Sequence, residues 1–226
     1  MSNVKHFKFT DLLIGIVFTL LFLSIGVIIA INFRPLYYLD INLLNIEETS
    51  GYGRDEILAN YNALIDYSSP FFRGGLIFPT FSASPSGIQH FKEVKDIFTS
   101  FYILAGITLA AAIIILVHKA KKRDISYLFV SSLTVVILPV VVGLFLMIDF
   151  DRSFVIFHKL FFNNDYWIFD SATDPVIDIL PDTFFLHSAL LIIMIIILAS
   201  IGLYVAYHIL KKRTGIRYRR IPDIKI

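Results

Sequence analysis

The sequence predicts an all-α polytopic membrane protein with four transmembrane helices, and three observations support this fold class. First, 57% of the 226 residues are hydrophobic. Second, four segments contain no Asp, Glu, Lys or Arg, and about 20 such residues are enough to cross the ~30 Å hydrocarbon core. Third, one charge at the centre of a membrane helix costs roughly 2.5–3.5 kcal/mol, so uncharged segments of this length indicate spans. The four segments are about 12–33, 98–117, 125–148 and 183–210.

Charged residues are divided between the loops in a way that predicts the orientation. The N-terminus, the turn at 118–124 and the tail at 211–226 hold 13 of the 20 Lys and Arg. The regions 34–97 and 149–182 hold 15 of the 18 Asp and Glu. By the positive-inside rule, both termini are cytoplasmic and the two acid-rich regions are extracytoplasmic. The basic tail is predicted to bind anionic lipid head groups, and nucleic acid is not an expected partner.

The two acid-rich regions are predicted to form a structured extracytoplasmic cap on a single membrane-embedded domain of residues 1–226. The segment 54–67 has the apolar period of a short amphipathic helix. Its apolar face would consist of Ile57, Leu58, Tyr61, Leu64 and Ile65. This helix is expected to pack on the mouth of the bundle or, as the alternative, to lie at the interface and receive lipid.

Two further segments of the cap are predicted from local patterns. A helix is expected to begin near 86–87, after a loop rich in Pro and Gly, and to continue into the second span. The segment 154–162 contains His158 and Lys159, so it is too short and too polar to span. We expect it to lie along the outer interface, where the nearby Trp167 suits the aromatic belt of a membrane protein.

The chain has no cysteine. This excludes a disulfide framework, a thiol nucleophile and a Cys-x-x-Cys redox pair. Membrane thiol oxidoreductases, some of which are four-helix proteins of similar size, are therefore excluded.

Three of the six histidines, His90, His158 and His187, are predicted on the outer side at a membrane boundary. Each one alone is more easily explained as a structural residue. Three at similar depth beside many carboxylates favour a function, because ionisable groups at a membrane boundary are costly to place. His118 and His208 are predicted to flank the inner side.

Three kinds of chemistry could use the outer histidines. Metal binding by His90, His158 and an Asp is weakly supported, because the chain has no His-Glu-x-x-His pattern. A serine nucleophile is also weakly supported, because no Gly-x-Ser-x-Gly elbow is present. General acid–base catalysis needs only two imidazoles brought together, since imidazole has a reference pKa of about 6.5. We therefore expect no metal and no cofactor.

Two segments carry a resemblance to a known family. SPSGIQHFKEVKDIF (84–98) and FHKLFFNNDYWIFDSATDPVIDILPDTFF (157–185) resemble signature segments of the lipoprotein intramolecular transacylases. These are small four-helix integral membrane proteins of Gram-positive bacteria. The resemblance implies an acyltransferase at the outer face of the cytoplasmic membrane. Its substrate would be a diacylated lipoprotein, whose sn-2 acyl chain moves from the glycerol oxygen to the α-amine of the N-terminal cysteine and leaves the lyso-form.

The resemblance and the acid–base chemistry together nominate the site residues. His90 and His158 are the catalytic candidates, and His187 is a secondary one. The candidates for substrate positioning or oxyanion binding are Asn163, Asn164, Trp167 and Lys95. The candidates for orienting an imidazole are Asp165, Asp170 and Asp174.

Two alternatives of other classes stay open at the level of sequence. One is a non-enzymatic membrane sensor or assembly protein, and the other is a metal-dependent membrane lipid hydrolase. Mass spectrometry of lipoprotein N-termini separates the first alternative from an acyltransferase, and the metal content of the purified protein separates the second.

The predicted orientation has a direct test by cysteine labelling. Because the chain lacks cysteine, each introduced thiol is unique. Ser84→Cys and Ser171→Cys should react with an impermeant thiol reagent in intact cells, whereas Ala120→Cys should react only after the cells are opened. Labelling of Ala120→Cys alone in intact cells would invert the topology.

Overall fold

The computed structural model describes residues 8–214 and the segments 4–5 and 217–218. Most of the predicted basic tail, and the segment before Lys8 apart from Val4–Lys5, lie outside the described residues. Eight α-helices make up most of the described chain, together with one short 3₁₀ helix and one pair of two-residue parallel strands. The elements are β1 Val4–Lys5, α1 Phe9–Asn32, α2 Arg34–Leu43, α3 Ile46–Ser50, α4 Arg54–Ser68, α5 Pro85–Lys121, α6 Ser126–Ile148, α7 Phe150–Phe161, the 3₁₀ helix Pro175–Ile179, α8 Asp182–Thr214 and β2 Arg217–Tyr218.

Four of these helices, α1, α5, α6 and α8, are long and apolar enough to cross a membrane. The predicted number of spans is therefore confirmed. Helix α5 has 37 residues, which corresponds to about 55 Å at a rise of 1.5 Å per residue. Before the uncharged segment 98–117, the helix carries four charged residues, Lys92, Glu93, Lys95 and Asp96. The helix begins at Pro85, close to the predicted start, and proline suits the first position of a helix.

The chain forms two compact units, each assembled from separated segments. Unit 1 consists of Met1–Gly26, Ile103–Gly143 and Ile193–Ile226, and unit 2 consists of Val27–Tyr102 and Leu144–Ile192. Each of the four long helices contributes residues to both units. A single membrane-embedded domain stays a prediction.

A buried cluster of charges lies in unit 1. The Lys119 ammonium contacts Asp11 at 2.8 Å and Asp124 at 3.0 Å. All three side chains are buried, and the Ser126 hydroxyl donates to Asp124 at 2.7 Å. Burial alone would raise the pKa of Asp124, but the hydrogen bonds from Ser126 and Lys119 outweigh it and lower the pKa to about 2. The cluster therefore ties the beginning of α1 to the end of α5 and the turn that precedes α6.

Unit 2 has a continuous hydrophobic core. The rings of Tyr37 and Tyr61 stack with centroids 3.7 Å apart, and the edge of Phe184 meets Tyr37 at 5.1 Å. The Tyr37 hydroxyl donates to the carbonyl of Ile179 at 2.6 Å. The helix expected at 54–67 is present as α4, and its apolar residues pack in this core.

The charge cluster should contribute measurably to stability. Lys119→Met removes the ammonium that both buried carboxylates contact and leaves the more distant Lys8, 3.8 Å from Asp124. Breaking a buried ion pair costs about 3–5 kcal/mol. We expect a lower free energy of unfolding, measured by thermal or denaturant unfolding in detergent. Lys121→Met removes an exposed charge from the same helix and serves as the control. Equal stability of the two variants would show that the cluster does not hold the fold.

Candidate active site

The structure brings the two catalytic candidates together in unit 2. His90 lies in the second turn of α5, and His158 lies in the last turn of α7. Their ring centroids are 6.1 Å apart, and the ring planes are inclined by 31°. His90 is buried, with 5% of its surface exposed, and His158 is half-buried. The two imidazoles therefore form one cluster, which is the geometry that paired acid–base chemistry requires.

The tautomer of His158 follows from its local hydrogen bond. Its Nδ1 lies 2.8 Å from the carbonyl oxygen of Phe154, one helical turn earlier. A carbonyl oxygen only accepts hydrogen bonds, so Nδ1 of the neutral ring carries the proton. Nε2 then has a free lone pair. Helix α7 begins at Phe150 and is capped by Asp149, whose side chain accepts from the Arg152 amide at 2.9 Å.

The surroundings of His158 favour the neutral ring. Burial lowers the pKa of His158 below its usual 6.5, although the Phe154 carbonyl and the charge of Asp182 act in the opposite direction. The neutral imidazole therefore predominates at pH 7. A neutral imidazole with a free Nε2 can accept a proton.

His90 has a different hydrogen-bonding state. Its Nδ1 is buried and has no hydrogen-bond partner among the described residues. A buried polar atom without a partner costs about 1–3 kcal/mol. Nδ1 of His90 is therefore available to form a hydrogen bond with a ligand bound at the histidine pair.

Aromatic rings line both histidines. Phe162 contacts His90 at 4.7 Å and His158 at 5.7 Å between centroids. Trp167 stacks on His158 at 4.8 Å, and Phe169 meets His90 edge-on at 5.5 Å. Rings of this kind exclude water and lower the local dielectric constant, which strengthens electrostatic interactions at the pair.

The loop after α7 is held by Asn164. The Trp167 indole donates to the Asn164 carbonyl at 3.1 Å, and the Tyr166 amide donates to the Asn164 side-chain oxygen at 3.0 Å. The Asn164 side-chain amide donates to both carboxylate oxygens of Glu93, at 3.1 and 3.2 Å. Asn163 is exposed. Two of the proposed oxyanion donors, Asn164 and Trp167, therefore direct their N–H groups into the protein.

Lys95, a further candidate for substrate positioning, contacts Phe72 and Tyr67. Its ammonium donates to the Phe72 carbonyl at 3.1 Å and lies 4.5 Å from the centre of the Tyr67 ring. These contacts combine a hydrogen bond with a cation–π interaction.

The three carboxylates expected near an imidazole have other contacts. Asp165 is exposed, and Asp170 accepts from the Ala172 amide at 2.9 Å. Asp174 is buried and accepts from the Ser84 amide at 2.7 Å. The imidazole of His158 is held by a backbone carbonyl instead.

Gly87 makes the position of Asp174 possible. A Cβ atom at Gly87 would overlap with the Asp174 carboxylate. The absence of a side chain lets the loop at 171–174 lie directly on the first turn of α5, one turn before His90.

His187 pairs with a residue that the sequence did not nominate. Its Nδ1 lies 2.8 Å from the carboxylate of Asp40, which is 1% exposed. Phe185 contacts Phe154 at 5.5 Å, on the side of α8 that faces α7. His187 follows two residues later, about 200° around the helix. It therefore lies on a different face of α8 from the one that meets α7.

Glu93 and Gln89 were not nominated from the sequence. Gln89 donates to Glu93 at 3.0 Å across one helical turn. The spacing of Gln89, His90 and Glu93 on one predicted helix is the signal that could have found them, because residues three and four apart share a face.

The described residues hold no group of three or more His, Asp or Glu side chains that could bind a metal ion. Independence from metal stays a prediction.

Four apolar helices and a paired-imidazole site define an integral membrane protein with a candidate acid–base centre. The family model of the lipoprotein intramolecular transacylase Lit matches residues 12–185. The chain belongs to this family, and it is accordingly a membrane-integral transferase. No curated protein sequence matches it significantly.

Solved structures agree with this assignment. The membrane-integral lipoprotein intramolecular transacylase Lit from Bacillus cereus is 37% identical, with a TM-score of 0.86, over 91% of this chain and 98% of that chain. Two variants of the Bacillus cereus protein, in which one histidine is replaced by arginine or by alanine, are 36% identical with TM-scores of 0.81. They match over 91% of this chain and over 94% and 96% of their own lengths.

We expect the fluorescence of Trp167 to report the protonation of His158. Trp167 is the only tryptophan of the chain, and it stacks on His158. An imidazolium quenches a neighbouring indole more strongly than a neutral imidazole does. Because the pKa of His158 is lowered from 6.5, the neutral ring persists as the pH falls to that value, and quenching should develop only below it. The measurement is a fluorescence titration of the purified protein.

The control for this titration is His158→Gln, which cannot titrate in the same range. It should remove the acid transition while the emission at neutral pH persists. A transition centred at or above 6.5, the usual value for histidine, would contradict the lowered pKa.

Proposed function

We propose that this protein transfers the sn-2 acyl chain of a diacylglyceryl-cysteine lipoprotein to the lipoprotein's own α-amine, by general acid–base catalysis at His90 and His158. The observation that carries the proposal is the adjacency of the two imidazoles, one of which has a free Nε2. Membership of the transacylase family supplies the substrate class.

The proton transfers fit the properties of imidazole. The reference pKa of an α-amine is about 7.7–8.0, so the substrate amine is mostly protonated at neutral pH. One imidazole removes a proton from the amine, which then attacks the ester carbonyl. As the C–N bond forms, the nitrogen gives up a second proton to the histidine pair, and as the C–O bond to glycerol breaks, the pair delivers that proton to the glycerol oxygen. The ammonium and the ester thus give an amide, a glycerol hydroxyl and one proton, which leaves to solvent.

The aromatic walls have a role in this reaction. The ester would hydrolyse if water reached the activated carbonyl, and then the acyl chain would be lost. The rings of Phe162, Trp167 and Phe169 around the histidines exclude water from this position. They also offer apolar surface to the glyceryl group and to the first carbons of the acyl chain.

The reaction needs no external acyl donor, because donor and acceptor are in the same molecule. Holding an amine against an ester in one site gives effective molarities of about 10⁵ M or more. The chain has no cysteine, which excludes a thioester of the enzyme, and we propose that the acyl group passes directly. No cofactor is required.

Substrate positioning is proposed for Asn163, Asn164, Trp167 and Lys95. Trp167 acts through the face of its ring, and Asn164 acts by holding the loop that carries Trp167. Because the N–H groups of Asn164 and Trp167 bind within the protein, the exposed amide of Asn163 is the nominated donor left for negative charge that develops on the carbonyl oxygen.

The site is proposed to face the extracytoplasmic side of the cytoplasmic membrane. Unit 2 contains both acid-rich regions and both histidines. In the sequence, the N-terminus, the turn at 118–124 and the tail at 211–226 hold 13 of the 20 Lys and Arg, as the positive-inside rule requires for cytoplasmic segments. Lipoproteins carry their acylated N-terminus at that outer surface, and membrane lipid surrounds the site.

Replacement of either histidine should abolish most of the activity. We expect His158→Ala and His90→Ala each to lower formation of the lyso-lipoprotein roughly 10²- to 10⁴-fold, the usual contribution of general acid–base catalysis. The double variant should be little worse than either single one, because residues that act as a unit are non-additive. The measurement is mass spectrometry of the N-terminal lipopeptide of a lipoprotein from cells that produce each variant at equal levels.

Two histidines of unit 1 provide the controls. His118 and His208 are exposed, and His118→Ala and His208→Ala should retain nearly full activity. A fully active His158→Ala protein would refute the mechanism and leave this histidine a packing residue.

A further inference from the structure

The carboxylate of Glu93 lies at the centre of a hydrogen-bond network beside the histidine pair. Both of its oxygens accept from the side-chain amide of Asn164, at 3.1 and 3.2 Å, and one also accepts from Gln89 at 3.0 Å. Glu93 is half-buried. A carboxylate that leaves water without compensation is costly, so the three N–H contacts are what make this position tolerable.

The contacts of Glu93 join two segments that are far apart in the sequence. Glu93 follows His90 by three residues on α5, so both side chains project from neighbouring positions of one helix face. Asn164 is 71 residues away, in the loop after α7. The pair Glu93–Asn164 therefore fixes this loop to the helix that carries His90.

The network continues from Asn164 to the second histidine. The Asn164 carbonyl accepts the Trp167 indole N–H at 3.1 Å, and its side-chain oxygen accepts the Tyr166 amide at 3.0 Å. Trp167 in turn stacks on His158 with its plane inclined by 29°. Glu93 is thus connected to the face of His158 through the loop, and to His90 through the helix.

The direction of the Asn164 amide is fixed by these partners. If the amide flipped, its oxygen would face the carboxylate of Glu93 and the Tyr166 amide would lose its acceptor. Only the observed orientation satisfies all of the contacts at once. Glu93 must therefore accept through both oxygens. With a neutral amide at position 93, one oxygen can still accept from Asn164 and Gln89, but the other atom becomes an N–H that faces the Asn164 amide.

We propose that Glu93 is a positioning residue for acyl transfer, which holds the 163–167 loop against α5 and so keeps Trp167 stacked on His158. The expected effect on acyl transfer rests on the proposed function, whereas the holding of the loop does not. Glu93 acts through Asn164 and Trp167 and exchanges no proton with the substrate. Its loss frees the loop, withdraws the indole from one wall of the site and admits water beside His158.

An exchange of partners tests the proposal. In Glu93→Gln, one acceptor oxygen becomes an N–H donor that faces the Asn164 amide, and in Asn164→Asp two carboxylates face one another. The double variant Glu93→Gln/Asn164→Asp restores one donor and one acceptor with the polarity reversed, because the introduced amide at position 93 can donate to the introduced carboxylate at position 164. That carboxylate can still accept from the Tyr166 amide, and the backbone carbonyl that binds Trp167 is unchanged.

Two readouts distinguish positioning from simple stability. The first is the emission of Trp167, the only tryptophan, which needs no substrate. Each single variant should shift this emission to longer wavelength and weaken its acid quenching by His158. The second is lyso-lipoprotein formation, which should fall about 10- to 100-fold in each single variant, since small displacements at a reacting centre cost this much. The double variant should recover both readouts to within a few-fold of the unsubstituted protein.

The control is Glu48→Gln, the same chemical change at an exposed glutamate of α3, which should alter neither readout. Thermal unfolding of every variant shows whether it is folded. Unchanged Trp167 emission in a folded Glu93→Gln protein would overturn the proposal. A folded double variant that recovers neither emission nor activity would also overturn it. Absence of acyl transfer by the unsubstituted protein would refute the proposed function instead, and the emission data would still decide whether Glu93 holds the loop.

Discussion

A charged or hydrogen-bonding group that leaves water must find a partner inside the protein, and this constraint shapes both units. In unit 1, Lys119 meets carboxylates from α1 and from the turn before α6. In unit 2, the Glu93 carboxylate accepts hydrogen bonds from a side-chain amide of its own helix and from one in the loop after α7. One charged side chain in each unit thus decides which helix end or loop becomes its neighbour. Apolar surfaces supply most of the packing but are less selective, because many arrangements bury similar area.

The histidine pair departs from this constraint at one atom. His158 satisfies its Nδ1 with a carbonyl one turn away, whereas Nδ1 of His90 is buried without a partner among the described residues. Functional sites commonly break the rule that the rest of a structure obeys. In the proposed reaction, the incoming amine or the departing glycerol oxygen supplies the missing hydrogen bond. His90 Nδ1 then lacks a hydrogen bond in the free enzyme and gains one when the substrate is bound. This difference favours substrate binding at His90.

The spans and the approximate start of α5 were predictable because the information is local: the length of the uncharged segments, and the end of a loop rich in Pro and Gly. The histidines could be nominated because imidazole has a suitable pKa at any position in the chain. Their partners could not be assigned, because each depends on the tertiary fold. Asn164 meets Glu93 across 71 residues, and His187 meets Asp40 across 147 residues. Helices α2 and α3 were also missed. Their apolar faces are short and can be recognised only from their packing in the unit 2 core.

Gly87 limits how this sequence can vary. Since any Cβ at this position would meet the Asp174 carboxylate, the first turn of α5 and the 171–174 loop are separated by little more than a hydrogen atom. A larger residue would have to be accompanied by a smaller one at position 174 or by a shift of the loop. Asp174 also binds the Ser84 amide that precedes the helix, so a shift of the loop would release that backbone as well. The two positions are therefore expected to change together, or not at all, as related sequences diverge.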